Sequence, residues 1–218
     1  MSRLITRLRR AAAGDHGFTL AETIMASTIM AFVTAIAMTA ILQVYNGTNQ
    51  TQQTSDTRDQ LDNTFRRLDR ELRYAVWVAK PGQVGTTWYT EYAIPTDNTG
   101  KQTCRQIILR NGQLILASWD SPDRAPTSQS VLASDVTVSG SSGPVTVYDV
   151  GDKPYATASA GGAGVGSAFE TQFKQVRVQF TVTVGRVSLP FDSVFTAQNI
   201  DRNNQNSASV CSQGRPTS

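Results

Sequence analysis

Few side chains in this sequence could carry acid–base, metal or redox chemistry, and their positions restrict the possible functions. The single histidine, His16, lies near the N-terminus. If that first segment is removed, no imidazole remains for a catalytic triad, a metal site or a proton shuttle. Cys104 and Cys211 are the only cysteines, so they form either one disulfide or two free thiols, and they cannot build a zinc site. We therefore predict neither an enzyme nor a metal centre.

Two further clusters resemble binding sites only superficially. Four aspartates could bind a hard cation, but their spacing does not form an EF-hand loop, so solvated loop acids are favoured: Asp120, Asp123, Asp149 and Asp152. Four glycines lack the spacing and the following lysine of a phosphate loop: Gly161, Gly162, Gly164 and Gly166. We predict no cofactor.

Glu22 is the ionisable residue that most needs an explanation. It lies in a segment, 18–45, of 28 residues that has no positive charge and no other acid. A carboxylate within such an apolar segment costs several kcal/mol unless it is paired or lies near the membrane interface, which makes it a functional candidate. The simpler alternative is an interfacial glutamate at the start of an ordinary anchor helix.

The element that positions Glu22 is a long helix. The chain has no proline before Pro81, and Gly47 is the only glycine between Gly17 and Pro81. Because proline and glycine are the strong helix breakers, we predict one helix over 18–79. Residues 18–45 are long enough to cross a membrane, and residues 46–79 continue as an amphipathic half.

The amphipathic half presents one apolar stripe and several acid–base pairs. The stripe has spacings of 4, 3, 4 and 4 residues: Leu61, Phe65, Leu68, Leu72 and Val76. Asp62 with Arg66 and Asp69 with Arg73 are acid-before-base pairs at i,i+4. The stripe predicts packing against the remainder of the chain.

Residues 80–218 are predicted to form a β-rich head domain. Strands are predicted over 88–94, 105–110, 113–119, 135–139, 145–150, 176–184 and 187–196. Asn111–Gly112 predicts a tight hairpin, and Pro190 indicates an edge strand or a bulge. The predicted fold class is α+β, with the long N-terminal helix packed on an antiparallel sheet.

The residues around Glu22 carry a family resemblance. Residues 17–22 read GFTLAE, after a short leader with four arginines and before the apolar helix. This arrangement resembles the class III signal of type IV pilins and type II secretion pseudopilins. The resemblance implies that prepilin peptidase removes residues 1–17 by cutting between Gly17 and Phe18, and that Phe18 is then N-methylated. It also implies that Glu22 pairs with the terminal ammonium of a neighbouring subunit during assembly.

The resemblance further implies partners and a location. The absence of Gly and Pro from 21–43 resembles minor subunits, of the J type among pseudopilins or the W type among minor pilins. Expected partners are prepilin peptidase, other pilin or pseudopilin subunits and the cytoplasmic membrane, with DNA or a secreted substrate as a further option. The leader arginines predict a cytoplasmic N-terminus and an extracytoplasmic head. An arginine cluster on the helix could contact DNA, but interleaved acids favour a salt-bridged surface: Arg66, Arg67, Arg70 and Arg73.

Three alternatives compete with this interpretation. An ordinary secretory signal could end at Ala35-Ile36-Ala37, but it would place Glu22 inside the apolar core of the signal. An uncleaved signal anchor would retain residues 1–17. A third alternative is a lone membrane-anchored binding module, such as an adhesin or a DNA receptor.

The predicted topology affects the cysteines and the net charge. An extracytoplasmic head makes a Cys104–Cys211 disulfide plausible. The whole chain has 20 basic and 17 acidic residues, a formal charge of +3. Removing residues 1–17 takes away four arginines and one aspartate, so 16 bases then face 16 acids. The basic excess therefore belongs to the leader.

Overall fold

A computed structural model describes residues 19–95, 101–121, 123, 125–140, 142–155, 166, 168–204 and 209–216. Its architecture is α+β, with one long N-terminal helix packed on antiparallel β-sheets, which confirms the predicted fold class. The chain divides into two compact units, Met1–Asn49 and Gln50–Ser218. Helix α1 (Leu20–Arg73) contributes residues to both units.

In the first unit, every described residue is exposed. The exposed side chains between Leu20 and Tyr45 include many large apolar ones, among them Ile29, Phe32 and Ile36. By length and composition, α1 is the one helix in the described part of the chain that could cross a membrane. The structure therefore contains a helix with the length and composition that a membrane span requires.

In the second unit, α1 buries a stripe that differs from the predicted one. Its buried residues are Thr57, Thr64, Leu68 and Leu72. Leu68 and Leu72 confirm the prediction, whereas Phe65 lies at the margin of the buried face and stays 41 % exposed. Thr64 can be buried because its hydroxyl donates to the carbonyl oxygens of Gln60 and Leu132, at 2.8 Å each.

The predicted end of the helix is also wrong. The helix ends at Arg73, so Val76 does not belong to the helical stripe. Val76 instead donates its N–H to the carbonyl of Ala93 at 2.9 Å, where the chain enters its first strand. Sheet pairing therefore ends the helix about six residues before Ala79, the predicted last residue.

In the described part of the chain, ten strands and one short 3-10 helix follow α1. The strands are β1 (Trp77–Val78), β2 (Gly82–Val84), β3 (Thr87–Ala93), β4 (Thr103–Arg110), β5 (Gln113–Asp120), β6 (Ser128–Ala133), β7 (Val136–Thr137), β8 (Val145–Tyr148), β9 (Phe173–Val184) and β10 (Val187–Asp201), and the 3-10 helix is Val210–Gly214.

The strands form two antiparallel sheets rather than a single one. The first sheet has the order β1-β3-β4-β5-β6, with β2 also paired to β3. The second has the order β10-β9-β7, with β8 also paired to β9. β10 is a terminal strand of its sheet, which confirms the edge position predicted from Pro190.

Tight turns fix the register of the long hairpins. Asn111 and Gly112 both have positive φ, 50° and 72°, as the predicted type I′ turn between β4 and β5 requires. Gly185 has φ 60° in the two-residue turn that joins Val184 to Val187. From the turn at Gly185, β9 and β10 run in a continuous register from Val187–Val184 to Ala197–Lys174.

The core of the second unit lies between α1 and both sheets. Leu68 and Leu72 pack with inward-facing residues of both sheets, including Tyr92, Val178 and Phe195. A separate buried cluster surrounds the two cysteines and contains Trp77 and Trp119. These two clusters hold the charged groups described below in fixed positions.

Candidate functional site

The first turn of α1 positions Glu22. Thr19 precedes the helix, and its backbone N–H and its hydroxyl both donate to Glu22 Oε2 at 3.1 Å. In return, the Glu22 backbone N–H donates to Thr19 Oγ1 at 3.3 Å. This reciprocal arrangement is a capping box, in which a Thr and a Glu three residues later satisfy the free N–H groups of a helix start. The Thr-x-x-Glu spacing at 19–22 is the signal that could have predicted it.

The predicted cleavage residues Gly17 and Phe18 lie outside the described residues, so only Glu22 of this group has a described geometry. Its carboxylate is exposed and accepts bonds only from neutral donors of Thr19 among the described residues. A capping carboxylate also lies at the positive end of the helix dipole, which stabilises it there. The carboxylate is therefore oriented toward the N-terminal end of α1.

The apolar part of α1 satisfies its own hydroxyl groups. Each hydroxyl donates to a carbonyl oxygen three or four residues earlier, at 2.7–2.9 Å: Thr23, Ser27, Thr28, Thr34 and Thr39. Such back-bonding removes the need for water, because no free donor is left on these side chains. The surface of this helix can therefore contact lipid or another helix without leaving a hydroxyl unsatisfied.

In the second unit, Glu71 of α1 joins the helix to the first sheet. Glu71 Oε2 accepts from the Tyr92 hydroxyl at 2.7 Å and from Arg105 Nε at 3.1 Å. Arg67 adds a bond to Glu71 Oε1 at 3.4 Å and one to Ser130 Oγ at 2.8 Å. Complete burial and the adjacent Glu71 carboxylate raise the pKa of Tyr92 well above its ordinary value. The phenol therefore remains a donor, and it fixes α1 against β3.

A disulfide connects the first sheet to the C-terminal segment (residues 209–216). Cys104 on β4 is bonded to Cys211, with a Cα–Cα distance of 5.2 Å. Both cysteines are fully buried, and Trp119 packs against the same segment at Gly214. Ser209 caps the 3-10 helix by accepting from the Cys211 N–H at 3.2 Å. The disulfide therefore lies in a packed cluster.

Arg215 completes the attachment of that segment through a buried carboxylate. Glu91 on β3 is 1 % exposed, and Arg215 binds it with two donors, Nε at 3.1 Å and Nη2 at 2.6 Å. Gln106 donates to Glu91 Oε1 at 2.8 Å and to the carbonyl of Gly214 at 3.0 Å. Arg215 also donates to the carbonyl of Lys80 at 2.9 Å. Every oxygen of the buried carboxylate is therefore satisfied.

A cleft of about 520 Å³ lies beside this pair, and charged side chains line it. Asp149 accepts from Lys174 at 2.9 Å and lies 3.5 Å from Lys80. The hydrogen bond from Lys174 is the main reason that the pKa of Asp149 is lowered. Asp149, one of the four aspartates considered for a cation, therefore has ammonium partners instead.

Local pairing also accounts for part of the arginine cluster, whereas the candidate glycines Gly161, Gly162 and Gly164 lie outside the described residues. Among the described residues, no group of three or more His, Cys, Asp or Glu side chains is placed to hold a metal ion. In the arginine cluster, Arg66 pairs with Asp62 at 2.7 Å and Arg73 with Asp69 at 2.8 Å. These two pairs confirm the interleaved, salt-bridged helix surface.

Sequence reasoning identified Glu22 and the two cysteines, but it missed Thr19, Glu91 and Arg215. Only Thr19 had a local signal, the capping-box spacing. Glu91 and Arg215 are 124 residues apart, and no motif connects them.

Comparisons of the chain with protein-family models, with curated proteins and with solved structures found no match. The functional argument therefore depends on the residues and their geometry.

Proposed function

We propose that this chain is a structural minor subunit of a type IV pilus or of a type II secretion-like pseudopilus. In this proposal, prepilin peptidase cuts between Gly17 and Phe18, Phe18 is N-methylated, and the subunit assembles through its N-terminal helix. Glu22 pairs with the terminal ammonium of a neighbouring subunit. The partners are the peptidase, sister subunits and the cytoplasmic membrane.

The observation that carries the proposal is the apolar, exposed helix whose single charged residue through Tyr45 is Glu22, in the first turn. A soluble anchor-free protein would have no use for such a surface, because exposed apolar patches of this extent mark membrane or protein contacts. The satisfied hydroxyl groups support the same environment. The small residues Ser27, Ala31 and Ala35, spaced by four, would let neighbouring helices approach closely.

Two features support an extracytoplasmic head. The arginines of the leader favour retention of the N-terminus in the cytoplasm. The Cys104–Cys211 disulfide requires an oxidising compartment in most organisms, which the space outside the cytoplasmic membrane provides. In this proposal, the span separates a reducing side from an oxidising side, and the head lies on the oxidising side.

Variants in the capping box distinguish the proposed role of Glu22 in fibre assembly from its role in capping α1. Glu22→Gln keeps a side chain that can complete a capping box but removes the charge. Thr19→Ala weakens the cap by about 1 kcal/mol and keeps the charge. We expect Glu22→Gln and Glu22→Ala to insert into the membrane and to be processed, but to fail in fibre assembly. Thr19→Ala should assemble.

The measurements are membrane fractionation, mass spectrometry of the N-terminal peptide, and counting of fibres by electron microscopy in cells that co-express the assembly system. Normal fibres with Glu22→Ala would contradict the assigned role of Glu22. A mature chain that still carries residues 1–17, or that lacks N-methylated Phe18, would reject processing and favour a lone membrane-anchored binding module.

A further inference from the structure

A polar stretch of α1 connects its apolar part to the part that packs on the sheets. Residues 46–52 read NGTNQTQ and contain neither a charged nor a large apolar side chain. All of them are helical and exposed. The first fully buried residue of α1 is Thr57, and the boundary between the two compact units falls after Asn49. We call residues 46–52 the polar segment.

Few contacts in the described part of the chain stabilise the polar segment as a helix. The Thr48 hydroxyl donates to the Val44 carbonyl at 2.9 Å, and the Gln52 amide donates to Asp56 Oδ1 at 2.9 Å. Both bonds are local and exposed, and a side-chain pair of this kind stabilises a helix about two-fold or less. A Cβ added at Gly47 would meet no other described segment within 4 Å. The polar segment is therefore helical mainly because both of its ends continue into helix.

The composition of the polar segment weakens the helix further. Relative to alanine, a glycine lowers the helix equilibrium about five-fold, and each asparagine or threonine lowers it about two- to three-fold. Gly47 together with the two asparagines and two threonines therefore lowers it on the order of 300-fold. Opening the interior of a helix requires a second helix start, a factor of about 10⁻³, and propagation through this length of alanine helix opposes opening about ten-fold more. The product is an open fraction on the order of a few per cent.

The parts of α1 on either side open less readily. In lipid or detergent, residues 20–45 retain their backbone hydrogen bonds, because no water is present to replace them. On the other side, Leu68 and Leu72 are buried in the core of the second unit, and Thr64 bonds to the carbonyl of Leu132. Opening is therefore confined to the polar segment and the residues next to it.

We propose that the polar segment is an extendable tether, which opens and closes reversibly while the apolar part and the sheet-packed part of α1 stay helical. Opening lengthens the polar segment from about 10 Å to as much as about 24 Å. The second unit thereby gains reach without losing any of its own core contacts. The tether requires lipid or detergent around residues 20–45, but neither cleavage after Gly17 nor fibre assembly, so it can fail independently of the proposed function.

Hydrogen–deuterium exchange of the full chain in detergent micelles, followed by mass spectrometry, tests the opening. Amides of the polar segment should exchange about 30-fold more slowly than those of an unfolded peptide, whereas residues 24–40 and 64–72 should be protected more than about 1,000-fold. Protection of the polar segment equal to that of these flanking parts would overturn the proposal. Complete lack of protection would also overturn it, because the polar segment would then be permanently unfolded.

Alanine variants test whether composition causes the opening. Gly47→Ala combined with Asn49→Ala should raise the protection of the polar segment about 15-fold. Cleavage within 46–52 by a non-specific protease, which follows the open population, should slow about 15-fold as well. Asn63→Ala is the matched control: Asn63 is also an exposed asparagine of α1 but lies outside the polar segment, so neither rate should change. Unchanged protection and cleavage in the double variant, or an equal effect of Asn63→Ala, would refute the tether.

Discussion

Arg215→Ala is a substitution in the head with a large predicted effect. Glu91 is 1 % exposed, and Arg215 supplies two of its hydrogen bonds, at 3.1 and 2.6 Å. Removing one partner of a buried ion pair costs about 3–5 kcal/mol, because the remaining charge is left without compensation. Gln106 still donates to Glu91 at 2.8 Å, so we expect about 3 kcal/mol.

A second arginine–carboxylate pair provides the control. Arg177 binds Asp192 through two nitrogens as well, but the two side chains are 37 % and 41 % exposed. Exposed pairs contribute about 1 kcal/mol or less, since water screens the charges and replaces the bonds. Arg177→Ala should therefore cost at most about 1 kcal/mol, although its geometry resembles that of the buried pair.

Denaturant unfolding of the full chain, followed by tryptophan fluorescence, measures both variants. All three tryptophans, at 77, 88 and 119, lie in the second unit (Gln50–Ser218), so the signal reports that unit. Adding Glu91→Gln to Arg215→Ala removes the isolated charge and should restore about 1–2 kcal/mol. Equal losses for Arg215→Ala and Arg177→Ala, or no recovery in the double variant, would show that burial does not determine the strength of the pair.

Three further predictions concern the disulfide and two titrating groups. Replacing Cys104 and Cys211 by Ala should lower the free energy of unfolding by about 4–5 kcal/mol, because the bond closes a loop with a separation of 107 residues; a loss below about 1 kcal/mol would contradict this. The lowered pKa of Asp149 means that its stabilisation is complete above the ordinary carboxyl pKa and is lost as pH falls through the folded value. Lys174→Met should therefore destabilise the head at pH 7 but progressively less below about pH 4, as unfolding at several pH values would show. The raised pKa of Tyr92 means that stability should fall as pH rises above 10.0, and Tyr92→Phe should remove that alkaline loss; an identical alkaline profile would refute it.

The sequence predicted the elements whose signals are local. The long helix follows from the absence of proline before Pro81, and the β4–β5 hairpin follows from Asn111–Gly112. Strict alternation predicted β9, and the missing N–H of Pro190 predicted an edge strand. At Asn111–Gly112 and at Pro190, one or two residues exclude the competing conformation by steric or hydrogen-bonding limits.

Features that depend on distant partners were not predictable in this way. Phe65 fits an apolar stripe by spacing, but the contacts of α1 with the two sheets favour Thr64, whose hydroxyl reaches Leu132 across 68 residues. β6 (Ser128–Ala133) was missed because its polar and apolar residues do not alternate, and its pairing with β5 defines it. The buried Glu91–Arg215 pair has no signal at either residue, because only the folded sheet brings them together.

The capping box changes how the role of Glu22 should be understood energetically. In the isolated chain, the carboxylate accepts two bonds from Thr19 at 3.1 Å, so inserting this helix does not leave an unsatisfied acid. These donors are neutral, whereas the terminal ammonium of a neighbour would add the attraction between opposite charges. In the proposed assembly, exchanging the Thr19 donors for the terminal ammonium of a neighbour is favourable because it pairs two charges that are each costly alone in an apolar environment. In this proposal, Glu22 stabilises the helix start before assembly and joins two subunits afterwards, and its charge is required only for the second role.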